Sequence, residues 1–166
     1  MNNLIRWTDR ILKWFLVGLM AAIVIVVCWQ VISRFILNEP SSLTEELSRS
    51  LLIWIGMIGA AFAYRTGVHL GFDILVRRLE GNRLKYANMI LTAAVVLFAL
   101  AVMVFGGGKL VMMTWELNQM SSVLGIRMAY IYIALPLSGL LITFYGLCQL
   151  YYFAKNKELE PVEGII

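Results

Sequence analysis

The chain has 166 residues, 61% of them hydrophobic and 14% charged, against roughly 45–50% apolar and about 25% charged in a soluble domain. Its 14 Lys and Arg against 10 Asp and Glu leave a formal charge of +4. This composition excludes a core built in water, and a small positive excess placed between apolar runs is a topology signal with attraction to anionic lipid, not a nucleic-acid footprint. A hydrocarbon layer about 30 Å thick takes about 20 residues of helix, so uncharged runs of that length are the unit to count.

The first run, Trp14 to Ser33, is uncharged and lies between Lys13 and Arg34. It exceeds the usual signal-peptide core, and no small-x-small pattern precedes Arg34, so it is read as an uncleaved anchor over about 12–33. Pro40 stops that helix. Ser42-Leu43-Thr44-Glu45 then fits a capping box, with Ser42 accepting from the Glu45 amide and Glu45 reaching back. The second span, about 43–64, thus carries Glu45, Glu46 and Arg49 in its first turns. Glu45 and Arg49 are spaced to pair on one face, which leaves Glu46 for Arg34 or a partner. Gly56, Gly59 and Ala60 form a small-residue strip where another helix can approach closely.

Between Arg65 and Lys85, Phe72, Ile74, Leu75, Val76 and Leu79 are mixed with Asp73, Arg77, Arg78 and Glu80. The stretch reads either as a solvated basic loop or as a short interfacial helix, capped by Asp73 and ended at Gly81-Asn82. The fold expectation takes the helix. A third span runs over about 86–108, and Gly106-Gly107-Gly108 reads as the start of an outer loop through Met112, Met113, Trp115 and Met120 to Arg127. So apolar a loop suits a protein partner or the headgroup layer equally well. The fourth span, about 129–153, contains Pro136. Cys28 and Cys148 fall toward opposite faces and are read as small buried apolar residues that form no disulfide.

Orientation follows from the basic residues, which cytoplasmic connections retain. Arg6, Arg10 and Lys13, then Arg65, Arg77, Arg78, Arg83 and Lys85, then Lys155 and Lys157 make ten on one side; Arg34, Arg49, Lys109 and Arg127 make four on the other. The expectation is one all-α integral membrane domain over residues 1–166, with four transmembrane helices, both termini cytoplasmic, and a short interfacial helix between the second and third.

An ionisable group at the bilayer middle usually marks transport or catalysis. Here the central residues are near Ile23, Ile55, Leu97 and Leu141, none of them polar. Gln30, Asn88, Thr92, Ser138 and Thr143 suit interhelical hydrogen bonds. His69 is the only histidine, too few for bis-histidine haem ligation. The first span has no acid of the kind small multidrug exporters use, and Pro136 has no counterpart that would make paired broken helices. No catalytic, substrate-binding, cofactor or metal residue is expected, and the chain is read as no enzyme. What remains is charge at the borders: Arg34, Glu45, Glu46 and Arg49 outside, Arg65, His69 and Asp73 inside, serving as depth anchors or subunit contacts.

In order, the chain carries Gln30-Val31-Ile32-Ser33-Arg34-Phe35-Ile36-Leu37-Asn38, Thr44-Glu45-Glu46-Leu47-Ser48-Arg49 and Trp54-Ile55-Gly56-Met57-Ile58-Gly59-Ala60. Arg65-Thr66-Gly67-Val68-His69-Leu70-Gly71-Phe72-Asp73 and Tyr132-Ile133-Ala134-Leu135-Pro136-Leu137-Ser138-Gly139 follow. Over essentially its whole length the chain resembles the DctQ-like small membrane subunit of tripartite ATP-independent periplasmic (TRAP) transporters. It departs at Leu43, where the family often has Trp. The resemblance implies an inner-membrane scaffold without a substrate site of its own. Its partners would be a large DctM-like membrane subunit that moves an organic acid with sodium, a periplasmic substrate-binding protein, and membrane lipids. Arg34, Asn38, Glu45, Glu46, Arg49, Gly56, Gly59, Arg65, His69, Asp73, Trp115 and Arg127 are the candidate contact or anchor residues. A small homo-oligomeric transporter acting alone is the competing expectation.

Overall fold

The computed structural model describes residues 2–39, 41–66 and 82–154. The expected interfacial helix, with His69 and Asp73, lies outside the described residues. Four helices are long and apolar enough to cross a membrane: Ile5–Phe35, Ser42–Arg65, Tyr86–Glu116 and Met128–Phe153.

The first, α1 (Asn2–Phe35), starts well before the apolar run and is 34 residues long, about 51 Å at 1.5 Å per residue. It turns one narrow stripe inward, with Ile5, Asp9, Leu12 and Ser33 buried and Leu16, Leu19, Ile23, Val26 and Gln30 half-buried between them. Spacings of three and four place these on one face. The rest of its circumference is surface. Asn38, at φ 55°, turns the chain away from the helix end, a left-handed conformation that asparagine tolerates better than most residues.

The second helix, α2 (Ser42–Arg65), is capped one residue earlier than the capping box predicts. Ser41 is the N-cap, its Oγ accepting from the Thr44 amide at 3.4 Å while Thr44 Oγ1 donates back to the Ser41 carbonyl at 2.9 Å. This bond goes to the carbonyl and not to the cap residue's amide, so the reciprocal half of a capping box is not formed, and the Glu45 carboxylate pairs with Arg49 instead. Two serines in a row made the register ambiguous, and the extended backbone of Ser41 (φ −84°, ψ 103°) decides it.

The third helix does not end at Gly106–Gly108 as expected. It runs through α3 (Asn82–Phe98), a π-helical stretch (Ala99–Gly106) and α4 (Gly107–Glu116). Of the three glycines, Gly107 serves packing instead of a turn: a Cβ there would come within 3.0 Å of Leu135 and 3.2 Å of Pro136. The fourth begins with α5 (Met128–Tyr132) and continues as α6 (Ala134–Ala154) after a break at Ile133. Pro136 explains the break, since its ring crowds the carbonyl four residues earlier, at Tyr132. Opposite the π-helical stretch lies Gly139, where a Cβ would stand 2.6 Å from Met103 Cβ and 3.2 Å from the Val104 nitrogen. A wide turn on one helix and a missing side chain on the other let the two backbones meet.

The packing order in space is α1, α2, α6, then the third helix. Among the described residues α1 packs mainly on α2 and reaches α6 through side chains near its N-terminal end, and α6 lies between α2 and the π-helical stretch. Two clusters join the helices. One gathers Ile5 and Leu12 of α1, Ile58 of α2, and Tyr145 and Cys148 of α6. The other gathers Ala61, Ala99 and Ile142. Cys148 is buried and Cys28 is on the surface, both as free thiols. The expectation of a buried Cys28 is therefore corrected, because it falls outside the inward stripe of α1.

Candidate functional site

Among the described residues the interhelical polar contacts gather in two clamps, and α2 carries one at each end. Glu46 and Arg65 are 19 positions apart, about 28 Å along the helix, close to the thickness of a hydrocarbon layer.

The clamp at the end of α2 where Arg65 lies joins three helices. Arg65 donates through Nε to Asp9 Oδ2 of α1 at 3.2 Å, and its Nη2 is also 3.2 Å from that oxygen. Tyr145 of α6 donates its hydroxyl to Asp9 Oδ1 at 2.8 Å. The guanidinium carbon lies 6.0 Å from the centre of the Tyr145 ring. Both charged side chains are 7% exposed. A buried pair is a weak source of net stability, but removing one member strands the other charge and is costly. The arrangement therefore favours assembling all three helices over any two.

The opposite clamp closes the connection between the third and fourth membrane helices. Glu46 accepts from Ser121 Oγ and from the amides of Val123 at 2.8 Å and Leu124 at 3.2 Å. Ser121 Oγ is also 3.3 Å from the Leu124 amide, and the loop is pinned further by Ser121 N–H to Ile126 O at 2.8 Å and Met128 N–H to Gln119 O at 2.9 Å. Gly125 closes the turn at φ +62°. Tied this way, the loop holds Met120, Val123 and Ile126 on the surface. Beside it Arg127 lies 4.4 Å from the centre of the Trp115 ring, and Trp115 meets Tyr130 edge-on at 5.8 Å.

Among the predicted site residues, Glu45 and Arg49 pair on one face of α2, as their spacing predicts, with both side chains largely exposed. Glu46 accepts from the side chain and backbone of its own chain's loop at Ser121, Val123 and Leu124, not from Arg34. Arg34 is exposed, its guanidinium 5.9 Å from the Phe35 ring centre. Asn38 is exposed at the turn. Trp115 and Arg127 are brought together, and Arg65 turns inward. At Gly56 and Gly59 an added Cβ would meet nothing within 4 Å, so this strip is not used for packing among the described residues.

Sequence reasoning missed Asp9, Tyr145 and Ser121. For Asp9 a signal existed: it is the only acid before Glu39, and it shares a helical face with Ile5, Leu12 and Leu16. An acid on an apolar stripe calls for a partner. Nothing local marked Ser121 or Tyr145.

Residues 23–156 match the family model of the DctQ component of tripartite ATP-independent periplasmic transporters. The chain is 30% identical over 115 residues to the C4-dicarboxylate TRAP transporter small permease protein DctQ of Rhodobacter capsulatus, covering 69% of this chain and 50% of that protein. It is 28% identical over 144 residues to the sialic acid TRAP transporter small permease protein SiaQ of Vibrio cholerae, covering 84% and 79%. A sialic acid TRAP transporter permease protein, SiaT of Haemophilus influenzae, is 24% identical over 162 residues, 97% of this chain but 26% of that longer protein.

Proposed function

Because the chain belongs to the DctQ component family of TRAP transporters, as a multi-pass inner-membrane small permease subunit, we propose that it is a scaffold. In this reading it steadies the immobile part of a large DctM-like permease while that subunit moves an organic acid with sodium. The observation that carries the reading is where the polar chemistry sits. Each clamp is satisfied within the chain and ties helix ends together, while the span centres near Ile23, Ile55, Leu97 and Leu141 are apolar. A subunit built to hold its shape fits this distribution, since transported ions and substrates call for polar groups at the midplane.

The alignment of nearly the whole chain with about a quarter of a longer permease protein supports a partner that stands beside it in the membrane. The relatives' names point to carboxylates, sialic acid or C4-dicarboxylates, as the substrate class, delivered by a periplasmic binding protein. Both termini are cytoplasmic in this reading, from the ten-to-four distribution of basic residues. The outer clamp then presents the loop around Met120 and Ile126, with Arg34, Glu45 and Arg49, toward the binding protein and the large subunit.

The test is reconstitution. Vesicles holding this chain with the large subunit and binding protein should accumulate the organic acid under an inward sodium gradient, and vesicles holding this chain alone should not. Uptake by the chain alone would overturn the scaffold in favour of the autonomous transporter. Failure to co-purify with any large permease would remove the partnership.

A further inference from the structure

We propose that Lys109 forms an intramembrane ion pair with an Asp or Glu carboxylate on a helix of the large permease, so that the open edge of the third membrane helix is a contact with that subunit. The helix runs on through Gly106–Gly108 into α4 (Gly107–Glu116), which carries Lys109 into the span instead of a loop. Phe105 and Gly106 stand four and three positions before it, Met112 and Met113 three and four after, so all share its face. Lys109 is exposed, and Phe105, Met112 and Met113 are 71%, 65% and 61% exposed. A Cβ on Gly106 would meet only a backbone oxygen of its own helix, at 3.8 Å. Within a turn on either side, Lys109 is the one charge on this open apolar face.

Two contacts fix its depth. A Cβ on Gly146 would stand 2.3 Å from Val96 Cγ2 and 3.1 Å from the Tyr64 hydroxyl, so Val96 lies level with the end of α2 that holds Asp9. Lys109 is 13 positions farther on, about 20 Å at 1.5 Å per residue, whereas Glu46 stands about 28 Å from Arg65. From the other side, Gly107 packs on Leu135, which lies seven positions inside the start of the fourth helix at Met128, about 10 Å. Both routes place Lys109 about 8 Å inside the level of the Glu46 clamp.

A charge at that depth is costly without a counter-charge. Among the described residues no carboxylate pairs with it: Glu45 is taken by Arg49, Glu46 by its own loop, and Glu116 is seven positions along, about 10 Å. Helix direction also works against a headgroup phosphate. The third helix runs toward the Glu46 end, and Cα–Cβ bonds tilt toward a helix's N-terminus, so Lys109 leaves the backbone directed into the bilayer. Snorkelling out to phosphate is favoured from a helix of the opposite direction. A cation so placed, beside two adaptable thioethers and a glycine that permits close approach, fits a carboxylate on a neighbouring helix.

This inference rests on the scaffold reading and adds to it which edge of the chain meets the large subunit. Membranes holding both subunits are treated with dicyclohexylcarbodiimide, which joins an amine and a carboxylate in contact through an amide and leaves as the urea. After digestion, mass spectrometry should find Lys109 joined to an Asp or Glu in a membrane helix of the large permease. Lys109→Met should abolish this product and weaken co-purification about tenfold, the scale of an interhelical polar contact in a membrane. Lys109→Arg should keep co-purification at the wild-type level. The unfolding temperature of Lys109→Met on its own should equal that of the wild type, which separates a lost contact from a lost fold. An amide joining two copies of this chain, or undiminished co-purification of Lys109→Met, overturns the proposal. So does modification of Lys109 by a membrane-impermeant succinimidyl ester that is as fast in the complex as in the chain alone, which would make a lipid phosphate its counter-charge. In each of these cases the wild-type chain still brings down the large permease and the scaffold reading stands. A wild-type chain that brings down none removes both.

Discussion

Asp9 and Arg65 are 56 positions apart in the chain, yet the Asp9 Oδ2 atom is held at 3.2 Å by both Nε and Nη2 of Arg65. Because both side chains are 7% exposed, losing one leaves the other without water to replace it. Asp9→Ala should destabilise the detergent-solubilised chain by about 3–5 kcal/mol. Tyr145→Phe, which removes a hydrogen bond to a charged acceptor, should cost about 1.5–3 kcal/mol. The measurement is a double-mutant cycle by thermal unfolding. Asp9→Ala combined with Arg65→Leu should recover a large part of the single-variant loss, and simple additivity would mean that the contact is not energetically coupled.

At the other end, the Glu46 carboxylate is the common acceptor for Ser121, Val123 and Leu124. Glu46→Ala should release the loop, so that amide hydrogen exchange across residues 119–126 accelerates while the middle of α2 stays protected. Glu45→Ala, which breaks only an exposed pair within one helix, should leave loop exchange unchanged. Equal acceleration in both variants would show that the loop responds to general charge at the border and not to the Glu46 clamp.

These two clamps also show what was legible in the linear sequence. The apolar runs were, because a membrane helix must satisfy its own backbone and advertises itself by composition. The Glu45–Arg49 pair was, because its partners lie one helical turn apart. Glu46 was legible as a residue in want of a partner, but Ser121 lies 75 positions away, and the partners beyond it are backbone amides that carry no side-chain signature. The triple glycine at 106–108 was misread because a flexible turn and a close helix contact ask for the same residue. Only the position of Leu135 and Pro136 across the interface distinguishes them.

The basic-residue asymmetry makes the orientation directly testable. Cysteines placed singly at Ser122, between the third and fourth membrane helices, and at Asn156, after α6, on a background with Cys28 and Cys148 replaced by Ala, should differ in reach. A membrane-impermeant maleimide added to intact spheroplasts should label position 122 and spare position 156 until the membrane is opened. The reverse pattern would place both termini outside and would remove the outer clamp from any contact with a periplasmic protein.

The glycines divide into two groups that the same substitution separates. At Gly139 a Cβ would stand 2.6 Å from Met103 Cβ, and beside it the Val104 backbone nitrogen, at 3.2 Å, cannot swing aside as a side-chain tip can. Gly139→Ala should therefore force the π-helical stretch away from α6 and cost about 1–3 kcal/mol, read as a lower unfolding temperature of the chain on its own. At Gly56 nothing lies within 4 Å, so Gly56→Ala should be harmless to the isolated chain and even favourable, by up to about 1 kcal/mol of helix propensity. The informative step is to repeat both substitutions in the presence of the large subunit. If Gly56→Ala, silent alone, weakens co-purification, the open strip on α2 is where another helix approaches. If it remains silent there too, that face of α2 lies against lipid and the contact must be sought on another helix of the row.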